Sequence, residues 1–363
     1  MSWEQVQLVD IVSLRTGKLD SNAAVEDGSH PFFTCAQQTF RIDEPAFNTK
    51  AVLLGGNNAA GIFPLKYYEG QFNAYQRTYV IESLDPNVLI IRFLYYALRP
   101  ALSHFQSASI GAATQYLTKG ILDSFKVGIP PIATQNCIVS ILSTYDNLIE
   151  NNRRRIQLLE QAAWLLYKEW FVHLRFPGHE HTTITNGIPA GWERKTLGDV
   201  VKVVKGKNIT KDSVKNGSVP VVAGGLSPAY YHDTANAVGP VITVSASGAN
   251  AGYVNLYHED IWASDCSYIS TTSTEYLCYF YLLLTSKQKE VFGFQKGVAQ
   301  PHVYPKDLQR LPLFEPTKNI VRLFEEFVLC NFKQVKILLA QNKLLTQARD
   351  LLLPRLMNGV ISM

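Results

Sequence analysis

"GWERKTLGDVVKVVKGK" runs from 191 to 207, and the chain opens from position 2 with "SWEQVQLVDIVSLRTGK". Without a gap, the two stretches pair Trp3 with Trp192, Glu4 with Glu193, Leu8 with Leu197, Asp10 with Asp199, Val12 with Val201, Gly17 with Gly206 and Lys18 with Lys207, all 189 residues apart. A period that long exceeds any solenoid unit and signals two copies of a whole domain. A chain of 363 residues holds two such domains, each large enough to bury its own core.

The order of parts repeats as well. "HPFFTCA" at 30–36 falls opposite "VPVVAGG" at 219–225, "NNAAGIF" at 57–63 opposite "GANAGYV" at 248–254, and "AYQRTYVI" at 74–81 opposite "ASDCSYIS" at 263–270. Gln115 then pairs with Gln300, and Pro131 with Pro316. Short apolar or alternating runs between Gly, Asn and Pro read as strands and turns, with helices expected over 88–99 and 274–292. After each terminal proline the period changes. Ile138, Ile141, Tyr145, Leu148, Asn152, Ile156, Leu159, Ala163, Leu166 and Trp170 step by three and four, with a four-four stutter around Asn152. Phe324, Val328, Asn331, Val335, Leu338, Asn342, Leu345, Ala348 and Leu352 keep nearly the same rhythm. Two long helices are therefore expected, the first between Pro131 and Pro177 and the second between Pro316 and Pro354. They are related, since "LLEQAA" at 158–163 matches "LLTQAR" at 344–349.

The expected fold is α+β: two domains of similar fold, separated by an antiparallel pair of long helices in a pseudo-twofold internal repeat. The boundaries read as 1–131 for the first domain, 132–176 for the first helix, 177–316 for a linker and the second domain, and 317–363 for the second helix and closing segment. Asn152, Asn331 and Asn342 on the seam either fix register or face bound partner helices.

Composition is that of a folded soluble chain, 47% hydrophobic and 18% charged. No apolar run approaches the roughly 20 residues of a membrane span, and the N-terminus has no export signal, so the expected location is cytoplasmic. Cys35, Cys137, Cys266, Cys278 and Cys330 show no CxxC spacing and read as reduced core thiols. The net charge is +4, and neither large block is basic: residues 1–131 carry 10 Lys and Arg against 11 Asp and Glu, and 180–316 carry 12 against 12. Only Lys202, Lys205, Lys207, Lys211 and Lys215 cluster, around the single acid Asp212, as a nucleic-acid contact or a solvated turn.

"WFVHLRFPGHE" at 170–180, "NGIPAGWERKTLGDV" at 186–200 and "LTQARDLLLPRLMNGVIS" at 345–362 resemble the DNA-specificity subunit of type I restriction-modification enzymes, a resemblance that covers almost the whole chain. It implies one half of a split double-stranded DNA site read by each domain. It also implies paired helices that act as spacer and docking surface for two methyltransferase subunits, which bind S-adenosylmethionine and methylate adenine. Motor-nuclease subunits would complete the complex. The alternative is a related bipartite system whose single partner chain combines methyltransferase and nuclease. The first domain begins almost at Met1, so no partner surface built from an N-terminal extension is expected.

With phosphate contacts left largely to such partners, this chain needs base-edge contacts. Polar residues in the shared glycine-bearing loops supply the candidates: Lys18, Asn57, Asn58, Gln115 and Tyr116 in the first half, and Lys207, Asn208, Ser247, Asn250, Lys296, Gln300 and His302 in the second. For any one of them, turn chemistry is the commoner reason for its presence. Leu158, Leu159, Trp164, Trp170, Leu344, Leu345 and Leu352 are the candidate spacer and partner interface. The loops differ between halves, "GGNNAAG" against "SGANAG", so a non-palindromic target is expected.

Catalytic motifs do not emerge. There is no GxxxxGK[ST] phosphate loop, and neither "IPPI" at 129–132 nor "LFEP" at 313–316 resembles an amino-methyltransferase loop. His173, His179, His181 and Glu180 read as a linker rather than a metal site, and Asp265 and Cys266 have no base at a diagnostic spacing. The expectation is a non-catalytic subunit with no cofactor of its own.

Overall fold

A computed structural model describes residues 3–297 and 300–361; Ser2 and Ser362 of the quoted motifs lie outside the described residues. The chain divides into two compact units, one formed by residues up to Asn151 together with those from Asn342 onward, the other by Asn152–Gln341.

The duplicated opening is the clasp of each domain. In the first unit Glu4–Gln7 pairs antiparallel with Lys126–Ile129, the last strand before the first long helix. In the second, Glu193–Thr196 pairs in the same way with Pro312–Glu315. Leu8 and Leu197, both fully buried, then turn the chain inward, their N–H groups donating to the Phe125 (2.8 Å) and Leu311 (2.9 Å) carbonyls. Gly17 and Gly206 follow where no side chain fits: a Cβ on Gly17 would lie 1.7 Å from the Ala74 carbonyl oxygen, and one on Gly206 2.2 Å from that of Ser264.

The first unit holds a six-stranded sheet in the order Val12–Thr16, Thr78–Ser83, Phe47–Gly55, Leu65–Ala74, His30–Phe33, Phe40–Ile42. Only His30–Phe33 and Leu65–Ala74 run parallel. "AVLLGG" in the central strand is continuously apolar because both faces are covered. Val52 and Leu54 face the helix Ile91–Ala108, while Ala51 and Leu53 join Phe33, Phe72 and Val80 on the other side. The second unit repeats this order with one break. The place of the long Leu65–Ala74 strand is taken by Val254–Tyr257 and Trp262–Ala263, so the sheet divides into four strands and three. The Asn236 side chain supports the second piece, donating to the Ala263 carbonyl (2.9 Å) and accepting from its N–H (2.6 Å).

Several expectations about helices need correction. The helix expected over 88–99 spans Ile91–Ala108 and carries Pro100 inside, while the one expected over 274–292 is interrupted at Lys287 into Leu277–Ser286 and Gln288–Phe292. The first long helix is Ile132–Tyr167, extended by a wide turn over Lys168–Val172. The second, Lys318–Met357, does not stop at Pro354. That proline falls in the last turn, where few bonds are lost, and the helix ends at Gly359 (φ +64°), with Val360 N–H returning to the Arg355 carbonyl at 3.0 Å. The stutter around Asn152 is absent. Leu142 and Ile149, not Ile141 and Leu148, are the fully buried positions, so the seam alternates four and three from Ile138 through Ala163. In the second unit the two long helices are antiparallel: Asn152 donates to Gln341 (3.4 Å), Asn331 to the Leu159 carbonyl (3.4 Å), and Ile156 packs with Val335 and Leu338. In the first unit Arg349 pairs with Asp146 at 2.7 Å, and Leu353 and Leu356 join the core that holds Ile138 and Leu142.

In each unit a buried polar side chain of the long helix bonds main-chain groups of the domain. Gln135 accepts from Ile90 N–H (2.9 Å) and donates to the carbonyls of Val88 (2.8 Å) and Pro130 (2.9 Å). Glu325 accepts from the N–H groups of Cys278 and Tyr279, both at 2.9 Å, at the start of helix Leu277–Ser286. Of the cysteines expected in the core, only Cys266 and Cys278 are buried; Cys137 and Cys330 are exposed on the outer faces of the long helices, and Cys35 is intermediate. No helix among the described residues is long and apolar enough to cross a membrane.

The corrected seam has a direct test. Ile149→Ala is expected to lower unfolding stability by about 2–5 kcal/mol, whereas Leu148→Ala, at a position 45% exposed, should change it by about 0.5 kcal/mol or less. Denaturant titration of the two variants separates the registers, and equal losses would restore the stuttered one.

Candidate nucleic-acid interface

One end of the sheet in each unit carries a tip built by the same main-chain hydrogen bonds. In the first unit Gly56 N–H donates to the Arg77 carbonyl (2.7 Å), Leu117 N–H to that of Gly56 (2.9 Å), and Ile110 and Tyr116 exchange two bonds (3.1 and 2.8 Å). Asn57 pairs with Tyr116 and Asn58 with Gln115. In the second unit Ala246 N–H donates to the Asp265 carbonyl (3.1 Å), Val303 N–H to that of Ala246 (2.9 Å), and Lys296 and His302 exchange two bonds (3.0 and 2.8 Å). Ser247 bridges to His302 as Asn57 pairs with Tyr116.

This pattern corrects two equivalences. Tyr116, not Gln115, matches the second tip at His302, so Gln115 and Gln300 are not counterparts. Arg77 matches Asp265 rather than Cys266, because the second copy is one residue shorter in the turn before the strand. The strand registers agree, with Thr78 opposite Gly55 and Cys266 opposite Ser245.

The first tip gathers Asn57, Asn58, Gln115 and Tyr116. The Asn58 side-chain carbonyl accepts from Ala60 (2.8 Å) and Ile62 (3.3 Å) N–H, and Gln115 both accepts from Ser109 (3.1 Å) and donates to the Gly111 carbonyl (2.7 Å). These two amides shape the loop. Tyr116 is exposed, with the Arg77 guanidinium 5.4 Å above its ring. Lys18 is exposed at the same sheet end, next to Leu19, which bridges to Tyr75.

In the second tip, Ser247 hydrogen-bonds the Asp265 carboxylate. Lys296 forms an ion pair with Asp307, whose carboxylate is almost wholly buried. Burial pushes that carboxyl up, but the Lys296 bond and the Tyr304 N–H outweigh it and hold it below the ordinary value. His302 stacks on Tyr304 (5.9 Å, 12°), and the Lys306 ammonium lies 5.7 Å from the same ring. Gln300 is exposed beside them, and Asn250 sits in the adjoining turn, its main-chain carbonyl accepting from Tyr253 at 2.9 Å. Lys207 donates its N–H to Ala263 (2.9 Å), and its carbonyl accepts from the Trp262 indole (2.8 Å), so Lys207 and exposed Asn208 flank Ala263–Asp265. Lys202, Lys205, Lys211 and Lys215 are exposed as well.

The sequence pattern alone assigns no binding role to Arg77 or Asp265. The signal lay in the turn itself, where "YQRT" and "SDC" put opposite charges between the same two strands.

The spacer candidates divide by burial. Trp170 is buried with Trp164 packed beside it, Leu159 lies against Ile156, Val335 and Leu338, Leu352 packs on the first unit's core, and Leu345 is half-buried. Leu158 and Leu344 point to solvent. In the linker, His179 bonds the Phe176 carbonyl (2.9 Å) and His173 approaches Glu169 (4.0 Å); among the described residues no group of three His, Cys, Asp or Glu could hold a metal.

The family model described as type I restriction modification DNA specificity domain matches residues 1–161 and again 189–341. Among curated proteins, the type I restriction enzyme EcoDI specificity subunit of Escherichia coli is 40% identical over 161 residues, covering 44% of this chain and 35% of that protein. The chain thus matches about a third of the length of that relative. The MjaIX specificity subunit of Methanocaldococcus jannaschii is 26% identical over 298 residues, 75% of this chain and 69% of the relative. Among solved structures, the type I restriction-modification S subunit from M. genitalium shares the fold, with a TM-score of 0.64 at 16% identity over 98% of this chain and 96% of that one.

Each tip hinges on a left-handed glycine, Gly111 (φ +135°) and Gly297 (φ +96°). A Cβ on Gly111 would lie 1.9 Å from the Thr114 carbonyl oxygen. Gly111→Ala is therefore expected to speed hydrogen exchange at the Ile110 and Tyr116 amides while leaving Leu53 and Val80 in the central sheet protected. Unchanged tip protection would show that the loop does not depend on this conformation.

Proposed function

The chain belongs to the type I restriction-modification DNA specificity family, and we propose that it is the sequence-specific, non-catalytic DNA-recognition subunit of a type I restriction-modification complex in the cytoplasm. Its two recognition domains, 1–131 and 177–316, each read one half of a bipartite site in double-stranded DNA. The segments 132–176 and 317–363 serve as spacer and as docking surface for two adenine-methyltransferase subunits, with motor-nuclease subunits completing the assembly. S-adenosylmethionine belongs to the methyltransferase partners.

One observation carries the reading: the same main-chain tip occurs twice, with different side chains at each equivalent position. Tyr116 stands against His302, Asn57 against Ser247 and Ile110 against Lys296. A repeated frame with unlike side chains suits an asymmetric site, because direct readout depends on donor and acceptor pattern. Lys18 and Lys207 keep the same place in both copies and supply phosphate contacts common to both halves. The remaining candidates, Asn208, Asn250 and Gln300, border the second tip.

The docking assignment rests on the outward faces of the helices. Leu158, Leu165 and Val172 recur every seven residues in the second unit, and all are more than half exposed. Leu344 and Leu351 do the same in the first unit, and they match Leu158 and Leu165 in the internal repeat. Apolar side chains at heptad spacing with no cover suit helices of another chain. Two related stripes suit two copies of one partner.

Two measurements test these statements. Single-molecule mapping of adenine methylation in cells with and without the gene should reveal a bipartite, non-palindromic motif that depends on it; methylation unaffected by deletion overturns the recognition role. Leu344→Asp with Leu351→Asp should leave the fold intact and reduce bound methyltransferase from two copies per chain to one by native mass spectrometry. Two copies retained would place the docking surface elsewhere.

A further inference from the structure

We infer that Arg77 and Asp265 each fix one base pair of the target, Arg77 by donating two hydrogen bonds to a guanine and Asp265 by accepting one from the exocyclic amino group of a cytosine. The inference rests on the DNA-recognition reading above and extends it to named residues and base chemistry.

Main-chain bonding places the two residues at one position of the repeated tip. The carbonyl of each accepts the N–H that follows the central strand, from Gly56 or Ala246, and the next residue of each enters the neighbouring strand opposite Gly55 or Ser245. Their Cβ atoms therefore leave the same frame at the same point, carrying opposite charges. A neighbour orients each side chain while leaving bonding capacity unspent. The Tyr116 ring lies beneath the Arg77 guanidinium, which keeps the guanidinium plane fixed but occupies none of its N–H groups. The Ser247 hydroxyl bonds Oδ2 of Asp265 and leaves Oδ1 open.

Three other polar side chains of the tips lack this freedom. The Asn58 and Gln115 amides close their own loop, and Lys296 is held by Asp307. Arg77 is exposed, and among the described residues no carboxylate forms an ion pair with it. A planar fork of donors matches guanine O6 and N7. A carboxylate at a DNA-facing tip is repelled by phosphates, so it is favourable there only where a base donor meets it, and the cytosine amino group is the donor that acidic side chains accept from in the major groove.

The test uses the full chain assembled with its methyltransferase subunits and a randomised DNA library, read by methylation. Arg77→Lys keeps the charge but loses the fork, and should relax guanine preference at one base pair of one half-site by about tenfold while the other half-site is unchanged. Asp265→Asn keeps the shape and can still accept from Ser247; it should relax one base pair in the opposite half-site by a similar factor. An unaltered motif in both variants, or uniformly weaker binding with unaltered preferences, overturns the inference and leaves the recognition role standing. A wild-type complex with no bipartite motif overturns the recognition reading, and this inference with it.

Discussion

A buried polar group must find a partner, and at the root of each domain one side chain of the long helix meets that requirement for several main-chain groups. Gln135, fully buried, satisfies two main-chain groups at the start of helix Ile91–Ala108 and the Pro130 carbonyl before its own helix, and Glu325 satisfies two at the start of Leu277–Ser286. Burial pushes the Glu325 carboxyl up, and the two N–H groups that face it offset part of that cost. Leaving such groups unpaired costs about 1–3 kcal/mol each, so each domain has one favoured seat on its helix. Apolar packing alone would tolerate sliding; directional bonds from helix to domain do not. The proposed recognition depends on this, because a tip can present side chains to a base edge only if the domain that bears it is fixed to its support.

Much of this organisation was legible in the sequence because duplication writes every constraint twice. Trp3 and Trp192, the Gly-Lys pairs at 17–18 and 206–207, and the prolines before each long helix mark the clasp, the close approach and the change of period. What escaped lay within one residue of the truth. Leu148 and Ile149 are both apolar and adjacent, so a three-four count accepts either, and only packing reveals which one is covered. Pro354 reads as a stop, yet a proline in the final turn costs few bonds, and Gly359 is the actual terminus. Arg77 stayed hidden because an ungapped alignment carried its partner one step past Asp265. The single-residue shortening becomes visible only when hydrogen bonds rather than letters are matched.

The near-neutral charge of both blocks also acquires a physical meaning. Several cations of the candidate surface already have partners or duties inside the protein: Lys296 with Asp307, and Arg77 with the Tyr116 ring. Cations held in place contribute direction more than diffuse attraction, and direction is what base discrimination requires. Lys202, Lys205, Lys207, Lys211 and Lys215 are the exception, an exposed group on the second domain alone. Under the proposed role, nonspecific attraction for a duplex differs between the two halves.

The construction of the tips lets one fold carry two different chemical faces. The frame common to both is set by main-chain bonds and by glycines in a left-handed conformation, both indifferent to the identity of neighbouring side chains, and the Asn58 and Gln115 amides add side-chain bonds in the first tip. Exchanging tyrosine for histidine, asparagine for serine or arginine for aspartate at matched positions therefore alters the chemical face of the tip with little effect on its frame. In a loop whose shape came from its own side chains, as with Asn58 and Gln115 here, each new specificity would also demand a new fold for the loop. A duplicated domain with such tips can diverge in its exposed chemistry while the clasp, the seam and the polar anchors stay unchanged, which is what the proposed asymmetric target requires.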